Sequence, residues 1–302
     1  MADTGTTSNK SEAKAGSTDY TRFIIVSGPR TGSHMLAQTL NSSRDIVCFR
    51  EVFNYLLDFV QFEVDGYDNS SARDLALREE DPLRFLDERI FGRHPEEIRA
   101  VGFKYHYEQG WAYRGLRERL VEDTEIRMVH LKRRNLLRML LSRKIAESTE
   151  VWLAEPRTDL TLRRVLTRIW ARLPNAVRMP LRAARRRLLS APKRSEKSLT
   201  ISPEELRSFI MRTKLTADHF DKIFGQHPQL TVFYEDIVDH RARVHGQVQE
   251  FIGVKPRRLT VTMRQQNPEP LRELLSNYDE LFDAYRDSRH ACMFEQRSDW
   301  LA

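Results

Sequence analysis

The sequence predicts an α/β protein built on a mainly parallel β-sheet that is flanked by helices. Five short apolar runs have the composition and the turn-forming borders of buried strands. Helical patterns separate several of them, and strands that alternate with helices are typical of parallel sheets. A glycine-containing turn links the first strand to a helix, as at the start of doubly wound α/β domains. The predicted strands are 22–27, about 45–49, 100–105, 126–131 and 230–234.

Helices are predicted from apolar positions that recur on one helical face, beginning with residues 36, 37 and 40 after the glycine turn. Residues 1–19 are rich in Ser, Thr, Gly and Lys and have no apolar run, so we expect a disordered tail and no signal peptide. Residues 20–302 are expected to form a single domain. The other predicted helices are 54–60, 81–91, 135–146 and 244–252.

Composition favours a soluble cytoplasmic protein. No uncharged apolar run approaches the ~18 residues that a membrane helix needs. The two cysteines, Cys48 and Cys292, are too few for a disulfide scaffold or a metal cluster. We expect both to be buried thiols in a reducing compartment.

The net charge of +7 is concentrated in residues 157–197, which contain thirteen Lys or Arg and two acids. Four prolines interrupt the chain around this segment, and we interpret about 155–202 as an arginine-rich insertion or lid. It could be a solvated lid, a lid over an acidic or lipid-linked acceptor, or a peripheral dock on an anionic membrane such as the inner membrane surface. Nucleic-acid binding is not expected, because Trp152 and Trp170 are its few aromatic residues.

The turn at 28–33, Gly-Pro-Arg-Thr-Gly-Ser, is the strongest local signal. After a buried strand, the backbone N–H groups of such a turn and of the next helix form a cradle for anions. An ATP-binding loop of the Walker A type would have lysine directly after its second glycine, whereas here Arg30 precedes Gly32. The same turn could also be a tight connection without a ligand.

A second signal follows the fourth predicted strand, where Arg134 precedes Ser142 by eight residues. An arginine at a strand end and a hydroxyl on the next helix can hold a phosphate together. Arg138 and Arg143 are expected to lie on a solvated face of that helix.

These two motifs resemble those of PAPS-dependent sulfotransferases, where PAPS is 3′-phosphoadenosine 5′-phosphosulfate. The turn resembles their 5′-phosphosulfate loop, and residues 133–142 resemble their 3′-phosphate motif. The similarity is greatest to the bacterial branch with the trehalose and nodulation-factor sulfotransferases, and includes segments 233–236 and 266–281. It implies a P-loop NTPase-like sulfotransferase fold with a P-loop-like turn that binds the phosphosulfate.

The resemblance implies which residues contact the donor. Arg30 is expected to contact the transferring sulfonate, where many relatives have lysine. Arg134 and Ser142 are expected to hold the 3′-phosphate of PAPS or of its product PAP, and Arg264 to close over the nucleotide. No metal ion is implied, because arginine and backbone donors compensate the charge. The cradle for the 5′-phosphate is expected to consist of Thr31, Gly32, Ser33 and His34.

Two residues are candidates for the general base. Glu51 matches a glutamate that faces the acceptor hydroxyl in the trehalose enzyme's branch, and His106 matches the histidine of a strand-borne Lys-x-His motif in cytosolic sulfotransferases. We favour Glu51, since a carboxylate beside a partly desolvated hydroxyl can accept its proton. Either residue could instead have an ordinary hydrogen-bonding role. The adjacent carboxylates Glu235 and Asp236 are expected to cap or pack.

The resemblance implies a hydroxyl acceptor on a carbohydrate or glycolipid, and relatives include homodimers. Two other functions stay open at this point. A P-loop-type kinase or nucleotide hydrolase would depend on Mg²⁺. A non-catalytic, basic membrane-docking protein would need the arginine-rich segment but neither Arg30 nor Arg134.

Overall fold

The computed structural model describes residues 16–109, 112–149, 198–261 and 267–295. Its five strands form one sheet in the order β2-β3-β1-β4-β5, and every neighbouring pair is parallel. This confirms the predicted α/β fold and its mainly parallel sheet. The strands are β1 (Thr21–Ser27), β2 (Ile46–Phe49), β3 (Ala100–His106), β4 (Arg127–Lys132) and β5 (Gln229–Phe233).

Helices connect the strands and cover the sheet. The segment Pro82–Phe85 continues as a π-helical turn over Leu86–Ile90, and a 3₁₀ turn spans Ala291–Phe294. The α-helices are α1 (Ser33–Leu40), α2 (Ala72–Glu80), α3 (Pro82–Phe85), α4 (Leu116–Glu122), α5 (Leu136–Thr149), α6 (Pro203–Ile223), α7 (Tyr234–Asp239), α8 (Arg241–Phe251), α9 (Leu271–Leu274) and α10 (Tyr278–Tyr285).

The central strand β1 is buried on both faces, as expected for a parallel sheet covered by helices. Its side chains alternate between two apolar clusters: Ile24 and Val26 pack in one, and Phe23 and Ile25 pack in the other. A third cluster joins α5 and α6 to α9 and α10. The apolar runs that predicted the first four strands therefore lie in the interior of the molecule, whereas β5 buries only Val232.

The carboxyl ends of three strands meet at one edge of the sheet. Ser27 at the end of β1 pairs with His106 of β3 and with Leu131 of β4. The turn after β1 consequently lies between the segments that leave β3 and β4. In open α/β sheets this edge is where ligands bind.

The structure differs from the sequence predictions at several points. The predicted helix over 54–60 is wrong, because these residues form an irregular loop. Cys48 is buried, but Cys292 is exposed, contrary to expectation. The arginine-rich segment 157–197 and Arg264 lie outside the described residues. Within the described ranges, no helix has the length and apolar character of a membrane span.

Candidate active site

The turn between β1 and α1 has a backbone shaped like an anion cradle. Arg30 and Gly32 both adopt left-handed conformations, with φ of 66° and 87°. The Thr31 hydroxyl donates to the Gly28 carbonyl oxygen at 2.8 Å, which closes the turn. Gly32 has no side chain that could cap α1, so the first N–H groups of this helix remain directed at the turn.

Gly32 is required by both its conformation and its surroundings. A Cβ at this position would overlap the ring of Tyr234, and its φ of 87° disfavours any other residue. Tyr234 itself begins α7, directly after β5. The aromatic ring therefore fixes the position of the turn from the far side of β4.

The contact between Gly32 and Tyr234 predicts that Gly32→Ala destabilises the protein, and Gly66→Ala is the matched control. Gly66 has nearly the same φ, 85°, but a Cβ there would meet nothing within 4 Å. We expect Gly66→Ala to lower the free energy of unfolding by about 1 kcal/mol through backbone strain alone. Gly32→Ala should lower it by about 2–4 kcal/mol, since overlap is added to strain. Urea denaturation measures both, and equal losses would contradict the role assigned to Tyr234.

Three arginine side chains gather beside the turn and form what we call the arginine cluster: Arg30, Arg133 and Arg138. The Nε of Arg30 donates to the Ser142 hydroxyl at 2.9 Å. Arg133 donates from Nη1 to the Arg30 carbonyl oxygen at 3.0 Å, while its own buried Nε has no hydrogen-bond partner among the described residues. The cluster is thus tied to the backbone of the turn.

Two members of the arginine cluster, Arg133 and Arg138, line a small pocket. Arg138 is 8% exposed and donates to the carbonyl oxygens of Asn267 and Glu269. Its predicted place on a solvated helix face is therefore wrong, whereas Arg143 pairs with Glu147 at the surface. The pocket is lined by Arg133, Arg138, Leu141, Ser142, Asn267 and Leu274.

The guanidinium groups of this cluster repel one another. Burial, followed by the charge of Arg133, lowers the pKa of Arg30 to about 10. Burial and then Arg133 also lower the pKa of Arg138. Both side chains stay charged at neutral pH, so an anion in the pocket would relieve this repulsion. Glu269 offsets part of the charge at Arg138.

Arg134, the residue expected to hold the second phosphate, points elsewhere. Its guanidinium makes a two-pronged ion pair with Asp236, at 2.6 and 2.9 Å, and lies over the Phe233 ring. The side chain is half exposed and does not line the pocket with Ser142. The structure brings Arg133 and Ser142 together instead.

Glu235 holds the backbone that carries Arg133 and Arg134 in these directions. Its buried carboxylate accepts hydrogen bonds from the backbone N–H groups of Arg134 and Asn135, at 2.9–3.1 Å. This carboxylate caps the start of α5, as expected for one of the two neighbouring acids. Asp236 pairs with Arg134, so neither acid is placed for proton transfer in the pocket.

The two candidate bases lie on the opposite side of the turn. Glu51 follows β2, and its Oε1 lies 2.9 Å from the Lys104 Nζ and 3.8 Å from the His106 Nε2. The same His106 nitrogen lies 3.4 Å from the Ser33 hydroxyl. Glu51, Lys104 and His106, which we call the acid–base group, therefore contact the cradle through Ser33.

The electrostatics of the acid–base group favour an ionised Glu51. Burial alone would raise the pKa of this carboxyl, but Lys104 and then His106 outweigh it and hold the pKa well below its usual range. Burial lowers the pKa of His106 to about 4, so its imidazole is neutral at pH 7. At pH 7 both Glu51 and His106 are unprotonated and can accept a proton, and their positions do not distinguish which of them is the base.

His34, which was expected in the cradle, directly follows Ser33. It lies in the first turn of α1, and its Nδ1 is buried without a hydrogen-bond partner in the described part of the chain. Burial, followed by the charges of Arg50 and Lys104, lowers the pKa of His34 to about 3. The ring is therefore neutral.

A buried hydrogen-bonded relay supports the base of the turn, and nothing in the sequence predicted it. Asp221 of α6 accepts from His130 Nδ1 at 2.6 Å, and Tyr107 donates to the Nε2 of the same imidazole at 2.7 Å. A Cβ at Gly28 would lie 3.3 Å from the Tyr107 ring. Burial lowers the pKa of His130 to about 4, which keeps the ring neutral, and the Asp221 carboxylate as acceptor places its proton on Nδ1.

The residues that sequence reasoning missed are Arg133, Arg138 and Tyr234. Arg138 precedes Ser142 by four residues, so both lie on one face of α5, and this spacing was a usable signal. The closeness of Tyr234 to Gly32 joins positions about two hundred residues apart in the chain, and no local pattern predicts it.

Comparison with known proteins gives limited similarity. No protein-family model matches the chain, and no curated protein sequence matches it. Among solved structures, a sulfotransferase from Alicyclobacillus acidocaldarius is similar at 15% sequence identity with a TM-score of 0.42. The match covers 93% of this chain and 98% of that one.

Proposed function

We propose that this protein is a sulfotransferase that uses PAPS as its sulfuryl donor. The observation that supports this most directly is the arginine cluster around Ser142, next to a turn whose backbone can hold a second anionic group. PAPS carries anionic groups at both its 5′ and 3′ positions, and the two adjoining subsites match that pattern. The acid–base group lies at the other side of the same turn, where an acceptor would approach.

In this proposal the turn and Arg30 bind the phosphosulfate. The backbone N–H groups of Thr31 through His34 hold the 5′-phosphate, and Arg30 compensates the charge on the sulfonate and on the leaving phosphate oxygen. The acceptor oxygen forms a bond to sulfur while the bond from sulfur to the phosphate oxygen breaks, in line with it. The reaction resembles phosphoryl transfer, in which positioning and charge stabilisation dominate.

The acceptor's proton passes to the acid–base group. Glu51, held as a carboxylate by Lys104, is the favoured acceptor of this proton, and the neutral His106 is the alternative. The acceptor is proposed to be a hydroxyl on a carbohydrate or glycolipid, as the bacterial resemblance implies. A cytoplasmic location with peripheral membrane contact through 157–197 belongs to the same proposal.

The donor site is tested by calorimetric binding of PAP, adenosine 3′,5′-bisphosphate, without added metal. We expect binding in the absence of Mg²⁺ and no preference for ATP with Mg²⁺. Arg133→Met should weaken PAP binding by about 30- to 100-fold, because a hydrogen bond to a charged group contributes roughly 2–3 kcal/mol.

Arg134→Met is the matched control for that variant. It should change the affinity for PAP by less than about threefold, because it removes a half-exposed ion pair with Asp236. A larger effect at Arg134 than at Arg133 would restore the assignment made from sequence. A preference for ATP with Mg²⁺ would favour a kinase or nucleotide hydrolase instead.

A further inference from the structure

The loop that follows Glu51 has an unusual support. In place of the predicted helix over 54–60, the chain wraps around the guanidinium of Arg78, which is 1% exposed. This group donates to four backbone carbonyl oxygens at 2.9–3.3 Å. The carbonyl oxygens belong to Val52, Asn54, Leu57 and Phe59.

Arg78 is itself held in place by groups outside the loop. Its neighbour Glu79 accepts from the guanidinium Nε at 2.8 Å and from the Tyr113 hydroxyl at 3.0 Å. A guanidinium with five fixed donors can order several carbonyl groups at once. The loop is therefore irregular in form but well fixed, and we call residues 52–59 the Arg78 loop.

The Arg78 loop is joined directly to the candidate base. The Asn54 side chain donates from Nδ2 to the Glu51 carboxylate at 3.0 Å and accepts from the Leu56 N–H at 3.1 Å. One amide thus links the position of the carboxylate to the tip of the loop. The backbone at the tip therefore lies one side chain away from the Glu51 carboxylate.

The tip presents two apolar side chains to solvent. Leu56 is 77% exposed and Tyr55 is 48% exposed. Single exposed apolar residues are common, but these two are adjacent, lie on a fixed loop and follow the candidate base. Because the backbone is already ordered, contact with them would carry little further loss of conformational entropy.

We propose that Tyr55 and Leu56 form an apolar contact surface for the acceptor, which therefore carries an alkyl or aryl group next to its reacting hydroxyl. This inference rests on the proposed function and specifies its acceptor. A free, fully polar sugar would leave both side chains in water. A glycolipid or an alkyl or aryl glycoside would bury them.

The test is the binding of two neutral probes to the full chain, hexyl β-D-glucoside and methyl β-D-glucoside, with and without PAP. Their polar groups are the same, so their affinity ratio isolates the alkyl contact. We expect the hexyl probe to bind about tenfold more tightly, since only part of its chain would be buried. Tyr55→Ser/Leu56→Ser should bring this ratio close to one.

Met211→Ser/Leu215→Ser is the matched control, because it removes two similarly exposed apolar residues from α6. It should leave the ratio unchanged. Equal affinities in the unaltered protein, undetectable binding of the hexyl probe, or an unchanged ratio in the Tyr55/Leu56 variant would overturn the inference. Self-association lost in that variant would assign the surface to a second copy of the chain and would overturn it too.

Measuring probe binding and PAP binding separately distinguishes failure of the apolar surface from failure of the proposed donor site. Probe binding requires neither turnover nor donor. PAP binding without any alkyl preference would retain the sulfotransferase and reject the apolar surface. An alkyl preference without PAP binding would reject the donor site.

Discussion

Arg30→Ala is expected to lower turnover by about 10³-fold or more, since arginine side chains that stabilise the charge of a transferring group contribute that much in related phosphoryl transfer. The Arg30 side chain extends from the turn that forms the cradle, and its Nε donates to the Ser142 hydroxyl at 2.9 Å. It therefore spans the two proposed anion subsites. Turnover is measured as PAP released from PAPS with hexyl β-D-glucoside as the acceptor.

The control is Arg143→Ala on α5, which removes an exposed arginine paired with Glu147. It should retain nearly full turnover, which excludes a general effect of lost positive charge. Arg30→Lys keeps the charge but loses the contact made by Nε, so we expect a turnover between that of the alanine variant and that of the unaltered protein. Near-normal turnover in Arg30→Ala would refute the proposed mechanism.

Glu51→Gln is expected to lower turnover by about 10²- to 10⁴-fold, the range for loss of a positioned general base. The affinity for PAP should change little, because Glu51 contacts the cradle only through His106 and Ser33. The comparison is His106→Asn, measured in the same assay. If His106→Asn is the inactive variant and Glu51→Gln retains turnover, then the imidazole is the base.

The pH dependence of turnover is a further test of the candidate general base. Lys104 holds the pKa of Glu51 below its usual range, while burial acts in the opposite direction. In Lys104→Met burial is opposed less, so the pKa of Glu51 should rise. A carboxylate base works only above its pKa, and the acidic limb of the turnover profile should therefore move to higher pH. Lys104 also lowers the pKa of His106, so an unmoved limb would show that neither candidate base controls it.

Sequence patterns were sufficient for the sheet and for the turn. The five strands are short segments with an apolar centre whose structure depends mainly on their own composition, and all five occur where they were expected. The turn at 28–33 combines two glycines with a following apolar helix face, which is also local information. The helix predicted over 54–60 is absent, and Arg78, some twenty residues away, instead holds these residues as a loop by binding four backbone carbonyl oxygens.

The candidate site was less predictable, because its members depend on distant contacts. Arg138 looks like a surface residue on α5 until the carbonyl oxygens of Asn267 and Glu269 cover it. Arg133 and Arg134 are chemically alike and adjacent, so no pattern distinguishes their directions. Their arrangement depends on Glu235, about a hundred residues further along the chain.

The cap that Glu235 provides has a consequence for how this region can vary. By binding the N–H groups of Arg134 and Asn135, it fixes the chain register at the start of α5, with Arg133 toward the pocket and Arg134 toward the surface. A substitution of Arg134, at the surface, alters only its contact with Asp236 and the Phe233 ring. An insertion or deletion of one residue between β4 and α5 would move both arginines out of these positions, so this connection can tolerate altered composition far more readily than altered length.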